Sequence, residues 1–410
     1  MTSDRTGSSG GPPLRVGIIG LGGGASAMIP KFAGNSNYHV AAAADIDQGQ
    51  LDAFSSRYEG KTFLTAEELC DSTAVDVIYI ATPNQFHTEH VLMALNGGKH
   101  VLVEKPMTLN LEDADAMIDA AERNDRRLGV NVKHSFAPRV RKVRDMVTSG
   151  ELGRLRMLNW WYYNNWLYSP RTVEELTPEL GGGVPWRQGP HMFDILRTIG
   201  GGMVRSVRAM TGVWDESRPV AGSYAGFLEF DNGTVSNAVY SGNDHFSSRE
   251  FTHRVDEGDA WPDRPEHAKA RRALIEAGDK DTEIAMKRAR RFGGQAREEQ
   301  TTRAQSRPSA WLLGGPFVAS FDLGDVRWTT EGLTVYGQTE EYDIPMSTDL
   351  DGREGIVQEF HNAVLEGRPP VNDGRWGKAT VEVLLSLFQS SEQRKEVYLS
   401  HQTPTIDLAA

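Results

Sequence analysis

Apolar residues along this chain follow two rhythms, and the change falls near residue 135. Before it, short continuous apolar runs suit strands buried on both faces: Leu14 to Ile19, Val40 to Ala44, Val75 to Ala81, Val101 to Val103 and Leu128 to Val132. Between them lie stretches with helical spacing. These are Ala27, Met28, Ile29 and Phe32; Ala66 to Cys70 behind a Thr65 cap; Phe86 to Asn96, closing on Gly97-Gly98; and Leu111 to Asn124. Strands alternating with helices predict a doubly wound parallel sheet over residues 14–135. After it, residues 136–410 read as mostly β. Leu155 to Trp166, Val204 to Trp214, Tyr224 to Phe230, Thr234 to Tyr240, Phe317 to Asp322, Val326 to Thr329 and Leu333 to Tyr336 carry strand formers. Asp231-Asn232-Gly233 supplies a hairpin turn, and Arg353 to Leu365 and Gly377 to Glu392 close the chain as helices. Within residues 247–308 charged residues crowd out large apolar ones, which marks an insertion. It reads as a lid, an oligomer arm or a solvated excursion.

Composition narrows the classes. With 410 residues, two domains are the natural expectation; 44 basic against 56 acidic residues give −12, which argues against a nucleic-acid partner. Cys70 is alone, so no internal disulfide can form. No apolar run approaches the roughly 18 residues of a membrane span, and Met1 to Pro13 is a Ser/Gly/Pro-rich tail expected to be disordered. A cytoplasmic location is expected.

The first strand runs into Gly20-x-Gly22-Gly23-x-Ala25. Gly20 permits a tight turn, Gly22 and Gly23 let backbone approach a pyrophosphate, and Ala25 allows close helix–strand packing. The N-terminus of the next helix offers N–H groups and a positive dipole end. The second run ends on Asp45, where a carboxylate should accept ribose hydroxyls. A 2′-phosphate about 4 Å away would be repelled by about 4 kcal/mol per unit charge at an effective dielectric of 20. Asp47 adds a second acid and no Arg offsets it, so NAD is expected over NADP.

The Val101 run stops on Glu104-Lys105-Pro106. Ligands of open parallel sheets bind at the carboxyl ends of the strands, which aims Lys105 into that crevice; the alternative is a solvated charge pair. Thr82, Asn84 and His87 should share this edge near nicotinamide, although His87 could equally be a helix-start residue facing solvent.

Together, Gly20-x-Gly22-x-x-Ala25, Thr82-Pro83-Asn84-x-x-His87, Gly98-Lys99-His100-Val101, Glu104-Lys105-Pro106, Val147 to Gly153 and Gly181-Gly182-Gly183…His191 resemble the Gfo/Idh/MocA oxidoreductases. The resemblance implies a Rossmann domain followed by a domain on a large open, mostly antiparallel sheet. It implies that Lys105 assists hydride transfer at a carbinol carbon, with Glu104 among the cofactor-side residues. A homo-oligomer, dimer or tetramer, through the open sheet is expected, and no metal. One departure is informative: sugar-oxidising members generally carry Asp four residues before His191, and here that residue is Arg187. His191 remains the acid–base candidate, expected on one helix with Arg187 and on the same face. A guanidinium in the cleft favours an anionic substrate, unless Arg187 turns outward toward Glu179.

Asn165 to Arg171, Gly367 to Pro370 and Asp373-Gly374-x-Trp376-Gly377 are further similar to the phthalate cis-dihydrodiol dehydrogenase branch, whose members oxidise carboxylated cyclohexadiene diols to catechols. That likeness makes Arg171 a second carboxylate candidate. It also makes Tyr163, Asn165 and Tyr168 candidate substrate contacts, within an aromatic stretch (Trp160, Trp161, Tyr162, Tyr163, Trp166) of which only some can line a site. A sugar or cyclitol dehydrogenase, or a dinucleotide sensor without catalysis, are the competing classes.

Overall fold

A computed structural model describes residues 12–252, 269–294, 314–329, 331–346 and 352–408. Most of the tail and parts of the insertion, residues 253–268 and 295–308, lie outside the described residues. The N-terminal sheet is six-stranded and entirely parallel, in the order β3-β2-β1-β4-β5-β6. Its strands are β1 (Leu14–Ile19), β2 (Tyr38–Ala44), β3 (Lys61–Phe63), β4 (Val77–Ile80), β5 (His100–Val103) and β6 (Leu128–Val130). The order reverses between β1 and β4, and the carboxyl ends there open a crevice.

Local chemistry starts the helices around this sheet. Asp47 caps α2 (Gln48–Tyr58), Thr65 caps α3 (Ala66–Asp71), and Asn110 caps α5 (Leu111–Arg123) by accepting the Asp113 N–H. α1 (Gly23–Ala33) has no side-chain cap, while α4 (His87–Asn96) follows a short 3₁₀ turn at Asn84–Phe86. α5 buries Ala114, Met117, Ile118 and Ala121, one stripe at helical spacing. α2 buries only Gln50, Leu51 and Phe54, too faint a stripe to stand out as a pattern.

The second sheet has nine strands ordered β14-β13-β12-β11-β7-β10-β9-β8-β15, with only β7 and β10 parallel. They are β7 (Leu155–Tyr163), β8 (Val204–Gly212), β9 (Ser223–Phe230), β10 (Val235–Ser241), β11 (Phe317–Phe321), β12 (Gly324–Trp328), β13 (Gly332–Gly337), β14 (Glu341–Pro345) and β15 (Val397–Tyr398). Alternation splits its faces. Leu158, Trp160, Ala238, Tyr240, Leu228 and Val207 are buried in one core with residues of the helices, including Val140 of α6 (Pro138–Ser149), Phe193 and Leu384. On the other face Met157, Trp161, Phe227 and Met210 stay exposed.

Three differences from the sequence pattern bear on the site. β7 ends at Tyr163 and the chain turns through Trp166–Tyr168, a turn closed by the Asn164 Oδ1, which accepts the Trp166 N–H. Arg187 and His191 do not share one helix: α7 (Val184–Arg187) stops and α8 (Gly189–Gly200) begins beyond Gln188. The described part of the insertion, around residues 269–294, is docked rather than solvated, since its Glu283 pairs with Arg218 of the sheet domain in a nearly buried contact.

The last two helices serve both domains. α11 (Arg353–Glu366) buries Ile356, Val357 and Phe360 in the same core as Val16 and Ile18, and the Tyr38 hydroxyl donates to Val357 O at 3.0 Å. Ahead of α12 (Gly374–Gln393), the Val130 N–H donates to Asn372 O at 2.8 Å; Trp376 then enters the core of α5 and β6, while Leu384 and Leu387 enter that of the second sheet.

Candidate active site

The turns leaving the carboxyl ends of the parallel strands line the crevice. Gly20 has φ +87°, and a Cβ there would sit 2.9 Å from Thr82 Cγ2 and 3.0 Å from Ala81 O, so only glycine fits. Gly23 is exposed with open space before it, Gly22 is partly exposed, and Ala25 is fully buried under the turn. Asp45 closes the end of β2, its Oδ2 accepting the Leu21 N–H at 2.6 Å and its Oδ1 the Asp47 N–H at 2.9 Å. An exposed glycine lip, an uncapped helix N-terminus and a carboxylate one strand away fit a dinucleotide.

Glu104 does not reach outward. Its Oε1 accepts from Tyr79 Oη and from Asn131 Nδ2 at 2.7 Å, and its Oε2 accepts the Lys105 N–H at 3.2 Å. Three strand ends are thereby tied together, and Lys105 is held at the corner. Burial, with the Glu104 charge beside it, pushes the Tyr79 hydroxyl well above its ordinary range, so it stays a donor. His87 is fully buried, which removes the solvent-facing alternative: Nδ1 lies 2.9 Å from Pro106 O and Nε2 2.9 Å from Thr82 O. It fastens the Thr82 loop to the Lys105-Pro106 corner. Thr82 Oγ1 lies 3.1 Å from His90 Nδ1.

Lys105 Nζ donates to the backbone carbonyl of Arg187 at 3.1 Å, so the corner of the first domain meets the α7–α8 junction of the second. His191 lies at this junction, its ring edge-on to His134 with centroids 4.5 Å apart. His134 is buried; burial first, then the charges of Lys133, Arg353 and Lys105, hold its pKa well below the ordinary value, so it is neutral at pH 7. Arg187 turns inward, not toward Glu179. Nε donates to Gly181 O at 3.0 Å and Nη1 to Asn84 Oδ1 at 3.2 Å. Its Nη2 and the Asn84 Nδ2 are both buried without a hydrogen-bond partner among the described residues. Two neighbouring orphan donors call for an acceptor.

The remaining candidates lie apart from this group or are already engaged. Arg171 donates to Trp166 O at 2.8 Å and to Glu175 Oε1 at 3.1 Å, with its guanidinium 4.1 Å from the Trp166 ring centroid. Glu175 thus takes up the charge expected to await a carboxylate. The Tyr168 hydroxyl donates to Asp215 at 2.5 Å, and Arg271 of α9 (Lys269–Ala277) covers its ring at 3.4 Å. Tyr163 shares the outer sheet face with Trp161 and packs on Phe246, and Asn165 is exposed.

Sequence reasoning missed Tyr79, Asn131, His134 and Glu175. His134 was within reach, since it follows β6 as Lys105 follows β5, and the same strand-end rule selects it. Glu175 was not: it comes to Arg171 through a loop without periodicity, whose fold is set by Gly183 N–H donating to Glu175 O.

A dinucleotide cradle facing a Lys–His group across two domains defines an NAD-dependent dehydrogenase of the CH–OH type. Comparisons with known proteins agree. Residues 14–132 match the model of an oxidoreductase family with an NAD-binding Rossmann fold, and residues 140–259 match the GFO/IDH/MocA C-terminal domain. A 1-carboxy-3-chloro-3,4-dihydroxycyclohexa-1,5-diene dehydrogenase of Comamonas testosteroni is 33% identical over 92% of this chain and 95% of its own. A crystal structure from Bordetella bronchiseptica RB50, designated a dehydrogenase, superposes with TM-score 0.85 at 34% identity, covering 94% of this chain and all of that one. An aldose-aldose oxidoreductase from Caulobacter crescentus has the same fold, with TM-score 0.71 at 18% identity over 94% of this chain and all of its own. The chain belongs to the Gfo/Idh/MocA oxidoreductases, on the side related to cyclohexadiene-diol dehydrogenases. Among the described residues no helix is long and apolar enough to cross a membrane.

Proposed function

We propose that this enzyme oxidises a carboxylated cyclohexadiene cis-dihydrodiol to a catechol with NAD. The observation that carries the reading is the inward Arg187, whose buried Nη2 lacks a partner among the described residues, as does the nearby Asn84 Nδ2. A ring carboxylate supplies the acceptor, and a guanidinium binds it more strongly than a neutral donor would. The name of the Comamonas relative, a carboxylated ring diol dehydrogenase, supports the same class.

Bound nicotinamide supplies the acceptor for the hydrogen that leaves the carbinol carbon with its electron pair. Lys105 and His191 hold the hydroxyl and take its proton, in a corner fixed by Glu104 and by the Arg187 carbonyl. Neutral His134 packs the His191 ring in place. The product ketone sheds its ring proton and becomes aromatic, which draws the reaction forward. The exposed apolar band of Met157, Trp161, Phe227 and Met210 suits a homo-oligomer interface.

The test is initial rates with NAD across matched sets: carboxylated dihydrodiols, uncarboxylated dihydrodiols, and sugars or cyclitols. The reading requires the first set to lead in kcat/KM. Sugars leading would return the enzyme to the sugar-oxidising side of its family.

A further inference from the structure

Alternation along β5 sends the side chains of Glu104 and Lys105 to opposite sides of the sheet edge. Glu104 follows Leu102 by two residues, and Leu102 pairs with Tyr79 on β4, so Glu104 and Tyr79 share a face. On the other flank Val130 pairs with Val103, which brings the next residue, Asn131, alongside Glu104. The ladder still runs at this level: the Glu104 N–H donates to Ile80 O at 2.9 Å and the Asn131 N–H to Val103 O at 2.7 Å. Two buried donors then meet on one carboxylate oxygen. Glu104 Oε1 accepts from the Tyr79 hydroxyl and from Asn131 Nδ2 at 2.7 Å, and the same amide donates to the Tyr79 oxygen at 3.1 Å. Gly24 of α1 lies against this oxygen, where a Cβ would sit 3.2 Å from it.

Past the last ladder bond, alternation no longer holds Glu104 and Lys105 apart. A carboxylate beside an ammonium in a half-buried corner would pair with it. An opposite charge within about 4–6 Å favours the charged form, commonly by about 1–3 in pKa, and a charged lysine cannot accept a proton. In the structure Lys105 Nζ donates to the neutral carbonyl of Arg187 at 3.1 Å, while Glu104 gives its Oε2 to the Lys105 backbone N–H at 3.2 Å. The other charged or titratable groups facing this corner are Arg353 of α11, His87 of α4, Lys133 and His134 beyond β6, and Arg187 and His191 at the α7–α8 junction. Burial keeps His87 and His134 neutral at pH 7, which leaves Glu104 as the anion that Lys105 would meet.

We infer that Tyr79 and Asn131 are positioning residues that turn the Glu104 carboxylate away from the Lys105 side chain, leaving Lys105 able to take the substrate proton. This rests on the role given to Lys105 above and deepens it. The experiment is the pH profile of kcat/KM at saturating NAD for wild type, Y79F, E104Q and Y79F/E104Q. The substrate is whichever diol or sugar the wild type oxidises fastest, so the result does not depend on a carboxylated ring. Y79F should move the acidic limb up by about one pH unit, which lowers the rate about tenfold below the limb, and should return to within about threefold of wild type on the alkaline plateau. With no charge to release, E104Q and Y79F/E104Q should share one limb. A Y79F profile that superimposes on wild type, one depressed equally at every pH, or a shift that persists beside E104Q overturns the inference. Asn131→Ala removes the other donor and should move the limb in the same direction, which serves if Y79F fails to fold. A crystal structure of the wild type with NADH needs no variant: Glu104 on Tyr79 and Asn131 supports the inference, and Glu104 on Lys105 Nζ overturns it. A limb that moves as expected while carboxylated diols fail as substrates would sink the proposed substrate and leave the tie standing. Failure of the Lys105 reading shows separately, as an unchanged kcat in Lys105→Ala.

Discussion

Replacing Arg187 with alanine separates substrate recognition from scaffolding, because the guanidinium performs both. Its Nε and Nη1 bond Gly181 O and Asn84 Oδ1, and losing each neutral partner costs roughly 0.5–1.5 kcal/mol whatever the substrate. Its Nη2 is the arm proposed for the ring carboxylate, and losing a partly buried, charge-assisted pair costs about 2–5 kcal/mol. At 1.4 kcal/mol per tenfold, that second term alone is roughly 30- to 4,000-fold in kcat/KM. Uncharged cis-diols should therefore fall by one order of magnitude or so, and carboxylated diols by that plus the larger factor. Arg187→Lys keeps the charge without the fork and should recover part of the difference. Arg187→Asp should abolish carboxylate turnover by repulsion. The assay is kcat/KM for a matched carboxylated and uncharged pair in all four proteins. Should both substrates fall by the same factor, the guanidinium is scaffolding alone, and only likeness with relatives would then favour an anionic substrate.

Lys105→Ala should lower kcat by about 10²–10⁴, the usual range for a lost proton acceptor, with a far smaller change in the NAD dissociation constant measured by fluorescence quenching; an unchanged kcat would remove Lys105 from the chemistry. Asp45→Ala should narrow the ratio of kcat/KM for NAD over NADP, and a wild type that prefers NADP would contradict the role given to Asp45. Glu175 links acid to stability. Burial would raise its pKa, but Arg171 and Lys287 outweigh burial and hold it at about 2 against an ordinary 4.5. A depressed carboxylate stabilises the fold above its unfolded value and loses that contribution as pH falls from about 4.5 toward 2, in total about 3 kcal/mol. Thermal unfolding between pH 3 and 6 should show a steeper acid loss in wild type than in Glu175→Gln, and parallel curves would disprove the coupling.

Buried strands wrote themselves plainly into the sequence. Val101 to Val103 have no polar residue and Val77 to Ile80 only the hydroxyl of Tyr79, because both faces meet helices. The Lys105 corner was legible for the same reason, since a strand that must stop at a proline fixes where the next side chain emerges. Periodicity could not tell the destination of charge. Arg171 and Arg187 look alike as letters, yet a loop carboxylate takes one and a backbone turn offers the other inward. Glu104 looked like a cofactor contact and is held by Tyr79 and Asn131 from neighbouring strands, a pairing settled only when the sheet assembles. The docking of the insertion, not its existence, was hidden most thoroughly: the helix α10 (Lys280–Arg288) buries only Glu283 and is held by the ion pairs of Glu283 and Lys287.

The late helices that close the first sheet give that half of the molecule an awkward birth. Val16, Ile18 and Gly129 wait for Phe360 and its neighbours, and the edge of β6 waits for Asn372. At roughly 5–20 residues per second, a ribosome needs on the order of 10–50 s after β6 to supply them. For that interval the nascent sheet presents bare apolar surface, a natural client for a holding chaperone. A gene fusion that transplants only the leading segment would make that exposure permanent, so a recombinant cassette for the nucleotide half must also carry the segment from Arg353 through Trp376.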